Sequence, residues 1–201
     1  MFDYLALLAF VAFMVGTPGP ANLVLMIAGM RQGLWGSLSF IFGLILGKIL
    51  LNILIGSGFG VVLASYPKLQ SALTYMSAAY MIFLATRSWP QSKKVISRHN
   101  SRHPKTYNFR EGFIIHPLNP KAWLMVVLAW GNFAPALGAV TLQFLAVTGS
   151  FVFCPLVFHS LWCGLGEYVG NRFANNERMT KVMILLTILM ILAALNHMQT
   201  G

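Results

Sequence analysis

The stretch His116-Pro117-Leu118-Asn119-Pro120-Lys121-Ala122-Trp123 limits what this chain can fold into more than any other. It stands inside an apolar run, Gly112 to Phe133, whose length of roughly 20 residues is what an α-helix needs to cross a bilayer. Each proline lacks an amide donor and crowds the carbonyl one turn back, so a regular helix cannot continue through both. The helix must break here. In hydrocarbon, freed backbone groups are costly unless protein or a water-filled cavity receives them, so a break at this depth marks a packed interior or a site. Lys121, a charge at the same depth, sharpens that demand.

Composition settles the class. With 57% hydrophobic and 9% charged residues among 201, the chain has too little polar surface to cover a soluble globule. It reads as an all-α integral membrane protein forming a single membrane domain, residues 1–201. A net charge of +10 would point to nucleic acid in a soluble protein. Here the basic residues fall almost wholly between apolar runs, so lipid is the expected partner and nucleic acid is not. Cys154 and Cys163 fit neither a redox pair nor a zinc pattern and read as small buried hydrophobes. The first apolar run carries Asp3 in place of a basic leader and is expected to be a retained span.

Six spans follow from the apolar runs. The first, Tyr4 to Met30, is interrupted by Gly16-Thr17-Pro18-Gly19-Pro20-Ala21-Asn22, a second proline break. The second lies within Gly36 to Ala64 and carries the small-residue pairs Gly43/Gly47 and Gly56/Gly60, which permit close helix contact. The third runs from Leu69 to Thr86, and residues 88–110 form a basic linker. The fourth is the broken run described above. The fifth, Val140 to Leu165, holds Pro155, and the sixth is Val182 to Leu195.

Alternating spans place Arg31, Arg87, Lys93, Lys94, Arg98, Arg102, Lys105, Arg110, Arg172, Arg178 and Lys181 on one face, against Lys68 alone on the other. By the positive-inside rule the first face is cytoplasmic and both termini lie outside the cytoplasm. Spans one to three (residues 1–87) and four to six (residues 111–201) each begin with a broken helix. Three is odd, so the halves are inverted relative to each other. Paired breaks in inverted halves point to a transporter site between them.

The order Pro18-Gly19-Pro20, then Gly43 and Gly47, then Gly112 and Asn119-Pro120-Lys121 resembles the LysE/RhtB family of bacterial amino-acid exporters over essentially the whole chain. The resemblance implies a six-span inner-membrane protein that exports amino acids or related metabolites using the membrane's ion gradient. One position departs from it. Members often carry an acidic residue after the second-span glycine, where this chain has Lys48.

The candidate solute-binding residues are Thr17, Pro18, Gly19, Pro20, Asn22, Lys48, Asn119, Pro120 and Lys121. Half-helices begin at Ala21-Asn22 and at Ala122-Trp123, and their unpaired N–H groups can hold a carboxylate. Carbonyls near Gly16, Thr17 and Leu118 can accept an ammonium group. Lys121 either binds the solute carboxylate or caps carbonyls freed by the prolines. Lys48 either joins the site or snorkels to the headgroups. Asn22, Asn52 and Asn119 suit zwitterion recognition or interhelical bonding, and His116 is a proton shuttle or a bonded core residue.

The only acids, Asp3, Glu111, Glu167 and Glu177, are all expected away from the midplane. A site with lysine and no acid disfavours a cationic cargo, so neutral amino acids or small carboxylates are favoured. Alternating access around a midplane site is the leading function. The alternatives are the same architecture carrying another solute, such as an organic anion or metal ion, and a non-transport membrane assembly protein or enzyme. No catalytic constellation, cofactor or metal is indicated, and homo-oligomer formation is left open.

Overall fold

The computed structural model describes residues 2–60, 65–86, 107–172 and 177–200. Among these residues every element is helical. The end of the second span and most of the basic linker, with Arg87, Lys93, Lys94, Arg98, Arg102 and Lys105, lie outside the described residues.

Helix α1, Phe2–Gly16, stops where Pro18 and Pro20 withdraw two donors, and α2, Pro20–Gly36, restarts with proline at its first position. The two meet at 61°. Helix α3, Leu38–Leu54, runs on through a π-helical turn, Ile55–Phe59, and α4 spans Pro67–Thr86. Helix α5, Phe109–Leu118, and helix α6, Pro120–Leu128, form the second broken pair, bent by 64°. A π turn, Ala129–Phe133, and a short 3₁₀ turn, Ala134–Leu137, lead to α7, Val140–Arg172, and then α8, Glu177–Thr200.

Two boundaries differ from the sequence reading, each for a local reason. Helix α5 begins within the stretch assigned to the linker, because Asn108 and Glu111 close a capping box. The Asn108 side chain accepts from the Glu111 amide at 3.3 Å, and the Glu111 carboxylate accepts from the Asn108 amide at 2.9 Å. Arg110 is thereby helical. Pro155 leaves α7 unbroken over 33 residues, longer than the fifth span expected.

Two helical stretches, Leu38–Phe59 and Val140–Arg172, are long and apolar enough to cross a membrane, and four spans result if each bent pair counts as one. The described parts of α4 and α8 hold shorter apolar helices, Ser71–Thr86 and Lys181–Ala193. Polarity runs inside out. Large apolar side chains such as Phe42, Leu46, Leu50 and Ile53 on α3, and Leu145, Phe153 and Leu161 on α7, are exposed, whereas Asn22, Lys48, Asn52, His116, Asn119 and His159 are buried. Apolar surface on this scale needs lipid around it. This is a multi-pass membrane fold.

The main helix contacts pair α2 with α7 and α3 with α5, so each joins a helix before residue 87 to one after residue 107. Glycines set both of them. A Cβ at Gly43 or Gly47 would meet the carbonyls of Phe109 or Phe113, and one at Gly112 would meet the Phe40 carbonyl. Gly29 and Gly166 do the same between α2 and α7, facing the backbones of Cys163 and Met26. Gln32 ties the far corner, donating to the Tyr107 carbonyl at 3.0 Å and accepting from its amide at 2.7 Å. Both cysteines are buried free thiols.

Candidate solute site

Breaking a helix frees carbonyls upstream of the break and amides downstream of it. At the first break the upstream carbonyls are engaged. Thr17 Oγ1 donates to the Met14 carbonyl at 3.0 Å, and the Trp162 indole reaches the Gly16 carbonyl at 3.1 Å. The Asn22 amide turns back to donate to the carbonyls of Val15 and Thr17, both at 2.9 Å. The Gly16 and Thr17 carbonyls expected to receive an ammonium group are thus already bonded within the protein.

Downstream amides differ between the two breaks. At the second, Asn119 serves all three: its side chain accepts from the Lys121 amide at 3.0 Å, and its carbonyl accepts from Ala122 at 2.9 Å and Trp123 at 3.2 Å. The loose amides expected at Ala122-Trp123 are therefore occupied. At the first, Gly19 is the N-cap of α2 and provides no side-chain cap. Only that half-helix keeps an uncapped positive end turned toward the break.

Lys121 joins the two. Its Nζ donates to Thr17 Oγ1 at 2.9 Å and lies 3.5 Å from the Thr17 carbonyl, and a methyl group placed on Gly19 would stand 3.4 Å from it. The lysine of one break thus rests against the start of the half-helix at the other. It does not cap the carbonyls of its own break, the bland role the sequence allowed.

Between the breaks is a cavity of about 20 Å³, room for a single water by the usual criterion. Gly19, Pro20, Asn22, Lys48, Asn119 and Lys121 line it, together with His116 and His159 and the apolar residues Met14, Val15, Ala21, Ala122 and Met125. Lys48 is 1% exposed, which removes the snorkelling alternative, and its Nζ lies 5.4 Å from the centre of the Phe151 ring. Thr17 reaches the hollow through its bond to Lys121. Pro18 is exposed at the turn, outside the lining, and Pro120 is the first residue of α6.

A family model for the LysE type translocator matches residues 12–201, nearly the whole chain. The chain belongs to the LysE type translocator family. Two relatives are similar over most of their length. A protein of Bacillus subtilis (strain 168) described as an uncharacterized membrane protein, YrhP, is 24% identical over 193 residues, which is 90% of this chain and 91% of that protein. A leucine efflux protein of Enterobacter sp. (strain 638) is 23% identical over 177 residues, 85% of this chain and 82% of that one. No solved structure matches. Membership places the chain among translocators, not enzymes.

Three residues of this LysE type translocator escaped the sequence reading. Tryptophans in a membrane chain are expected at interfaces or in packing, yet Trp123 and Trp162 each spend their one donor on a break. Trp123 Nε1 meets the Pro117 carbonyl at 2.7 Å, replacing the Lys121 amide that Asn119 has taken. The spacing from Pro117 to Trp123 is the one local signal, and nothing near Trp162 or His159 in the sequence marks them. Trp123→Phe keeps an aromatic side chain but loses the indole donor and some volume and leaves that carbonyl unpaired, so it should lower stability by at least about 1–3 kcal/mol. Thermal unfolding of the purified protein in detergent checks this, and an unchanged midpoint would show that the bond matters little.

Proposed function

We propose that this chain exports amino acids across a bacterial inner membrane, with neutral amino acids or related small metabolites as cargo. In this reading residues 1–87 and 111–201 are inverted three-span halves, the broken pairs α1/α2 and α5/α6 open each half, and both termini lie outside the cytoplasm. The observation that carries the proposal is the bond from Lys121, at one break, to Thr17, at the other, on the rim of a shared cavity.

The solute carboxylate docks at the uncapped start of α2 beside the Lys121 ammonium, where helix dipole and charge act together. No carboxylate lines the cavity, so a cationic side chain finds no counter-charge there. A hollow of about 20 Å³ is too small for an amino acid, so entry requires the helices to part, as alternating access demands. The contacts between α3 and α5 and between α2 and α7 bring backbone against backbone at glycines, and these are the surfaces along which the halves can slide. The name of the leucine efflux relative supports the neutral class.

Proteoliposomes loaded with an isotopically labelled mixture of the twenty protein amino acids provide the test. One or a few neutral members should leave faster than from protein-free vesicles, as read by mass spectrometry outside. Equal leakage of all twenty with and without protein sinks the proposal.

A further inference from the structure

The cavity also holds two titratable side chains that carboxylate binding leaves without a task. His116 on α5 and His159 on α7 are 3% and 2% exposed, and their rings stack with centroids 5.5 Å apart. Both ring nitrogens of His116 and Nδ1 of His159 lack a hydrogen-bond partner. Buried polar atoms are nearly always paired, so three unpaired nitrogens beside one hollow point to a partner that comes and goes. A neutral imidazole keeps one lone pair for a donor, and two stacked rings offer two.

The other charged groups at the hollow are Lys48 from α3 and Lys121 from α6, while the lining residues of α1 and α2 include no titratable side chain. Proton-driven carriers commonly use an intramembrane carboxylate, and none lines this cavity. Two lysine amines line the same hollow, and neighbouring positive charges disfavour one another, so the imidazole pair takes one proton far more readily than two.

We infer that the His116–His159 pair is the proton site of this carrier, and that a proton and the ammonium group of an amino acid compete for its lone pairs. The inference rests on the exporter reading above. Only N–H bonds are made and broken. After the solute leaves, a proton from the outer water joins an imidazole nitrogen, and it departs to the inner water when the empty site faces inward. The freed lone pair then accepts the next ammonium group. Outward solute and inward proton alternate because one lone pair has one occupant.

The labelled amino-acid mixture, loaded at sub-saturating concentration into proteoliposomes of set internal pH, tests this. Its neutral members keep both charges between about pH 5 and pH 7, so any slope in that window belongs to the protein. Initial efflux should fall as internal pH is lowered, by up to about tenfold per unit for one competing proton. A trapped pH dye should report proton entry coupled to efflux. The double variant His116→Gln/His159→Gln keeps acceptor oxygens but removes both imidazoles and leaves the lysines, so its slower residual efflux should no longer fall as internal pH is lowered. Wild-type efflux that is flat overturns the assignment, as does efflux that quickens in acid, the result for carboxylate recognition by the lysines alone. A double variant with the wild-type slope overturns it equally. The wild-type slope and proton entry need no substitution, so they can still overturn the assignment if the double variant fails to assemble. Wild-type protein that moves no amino acid at any internal pH is a different result, the failure of the exporter reading itself.

Discussion

Gly112→Val should abolish accumulation of the folded protein in the membrane. A Cβ at Gly112 overlaps the carbonyl of Phe40 and stands 3.0 Å from the Leu44 amide nitrogen, so the obstacle is backbone with no rotamer to yield. Gly43 and Gly47 meet α5 in the same way from the other side. Overpacking a tight contact costs about 1–3 kcal/mol, and a β-branched side chain against main chain lies at or above the top of that range. Gly149 in α7 is the control, because a Cβ there meets nothing within 4 Å. Gly149→Ala should leave stability unchanged or raise it by about 0.5–1 kcal/mol, since glycine weakens a helix interior. Comparing membrane abundance and unfolding temperature of the two variants checks the contrast. Equal behaviour would mean that the α3–α5 contact is looser than its geometry. The same contact reaches the candidate site, because Gly47 precedes Lys48 and Gly112 lies one turn before His116. A milder Gly112→Ala that still assembles should therefore also transport poorly.

The broken helices were legible in the sequence because proline acts through covalent geometry, and paired prolines two or three residues apart remove more than one turn can absorb. Pro18 and Pro20 set the end of α1 and the start of α2, and Pro120 sets the start of α6, while Pro117 is taken up inside the last turn of α5. Pro155 obeys the same rule with a different outcome, since a single proline can be absorbed within a long, packed helix. The start of α5 was legible in principle from Asn108-x-x-Glu111. It was hidden by the basic composition around it, which weighed more than the cap. The pairing of α2 with α7 and of α3 with α5 depends on shape at Gly29, Gly166, Gly43 and Gly112. A glycine in the sequence announces that close approach is permitted there, not which helix approaches.

The site was legible in its polar residues and illegible in its bonding. Gly19, Asn22, Lys48, Asn119 and Lys121 come together at one cavity. Which groups remain open was misjudged, because a local reading counts donors and acceptors lost at each proline and cannot see what folds back over them. Asn119 and Asn22 suit either zwitterion recognition or helix bonding from the sequence, and both are largely spent on the backbone of their own breaks. His159 is 43 residues from His116 in sequence and stacks on it in space. That meeting is a property of the fold alone.

Once the asparagines and carbonyls are assigned to the backbone, Lys121 becomes the residue on which solute binding turns. Lys121→Met has a similar length and removes the charge and all three donors. A charge-assisted bond to a carboxylate contributes about 1.5–3 kcal/mol, so the half-saturating solute concentration should rise by roughly 10- to 150-fold in vesicle efflux. The variant should still reach the membrane, since burying an apolar chain in place of a lysine is favourable there. Thr17→Val separates binding from bracing. It removes the 2.9 Å partner of Lys121 and leaves the lysine in place. If Lys121 holds the solute, Thr17→Val should weaken transport by less than about tenfold, well short of Lys121→Met. If the lysine merely ties the two breaks together, the two variants should lose the same stability and the same transport, and the double variant should lose no more than either. That second pattern would move the solute away from the α2 start and leave the hollow between the breaks as a structural joint.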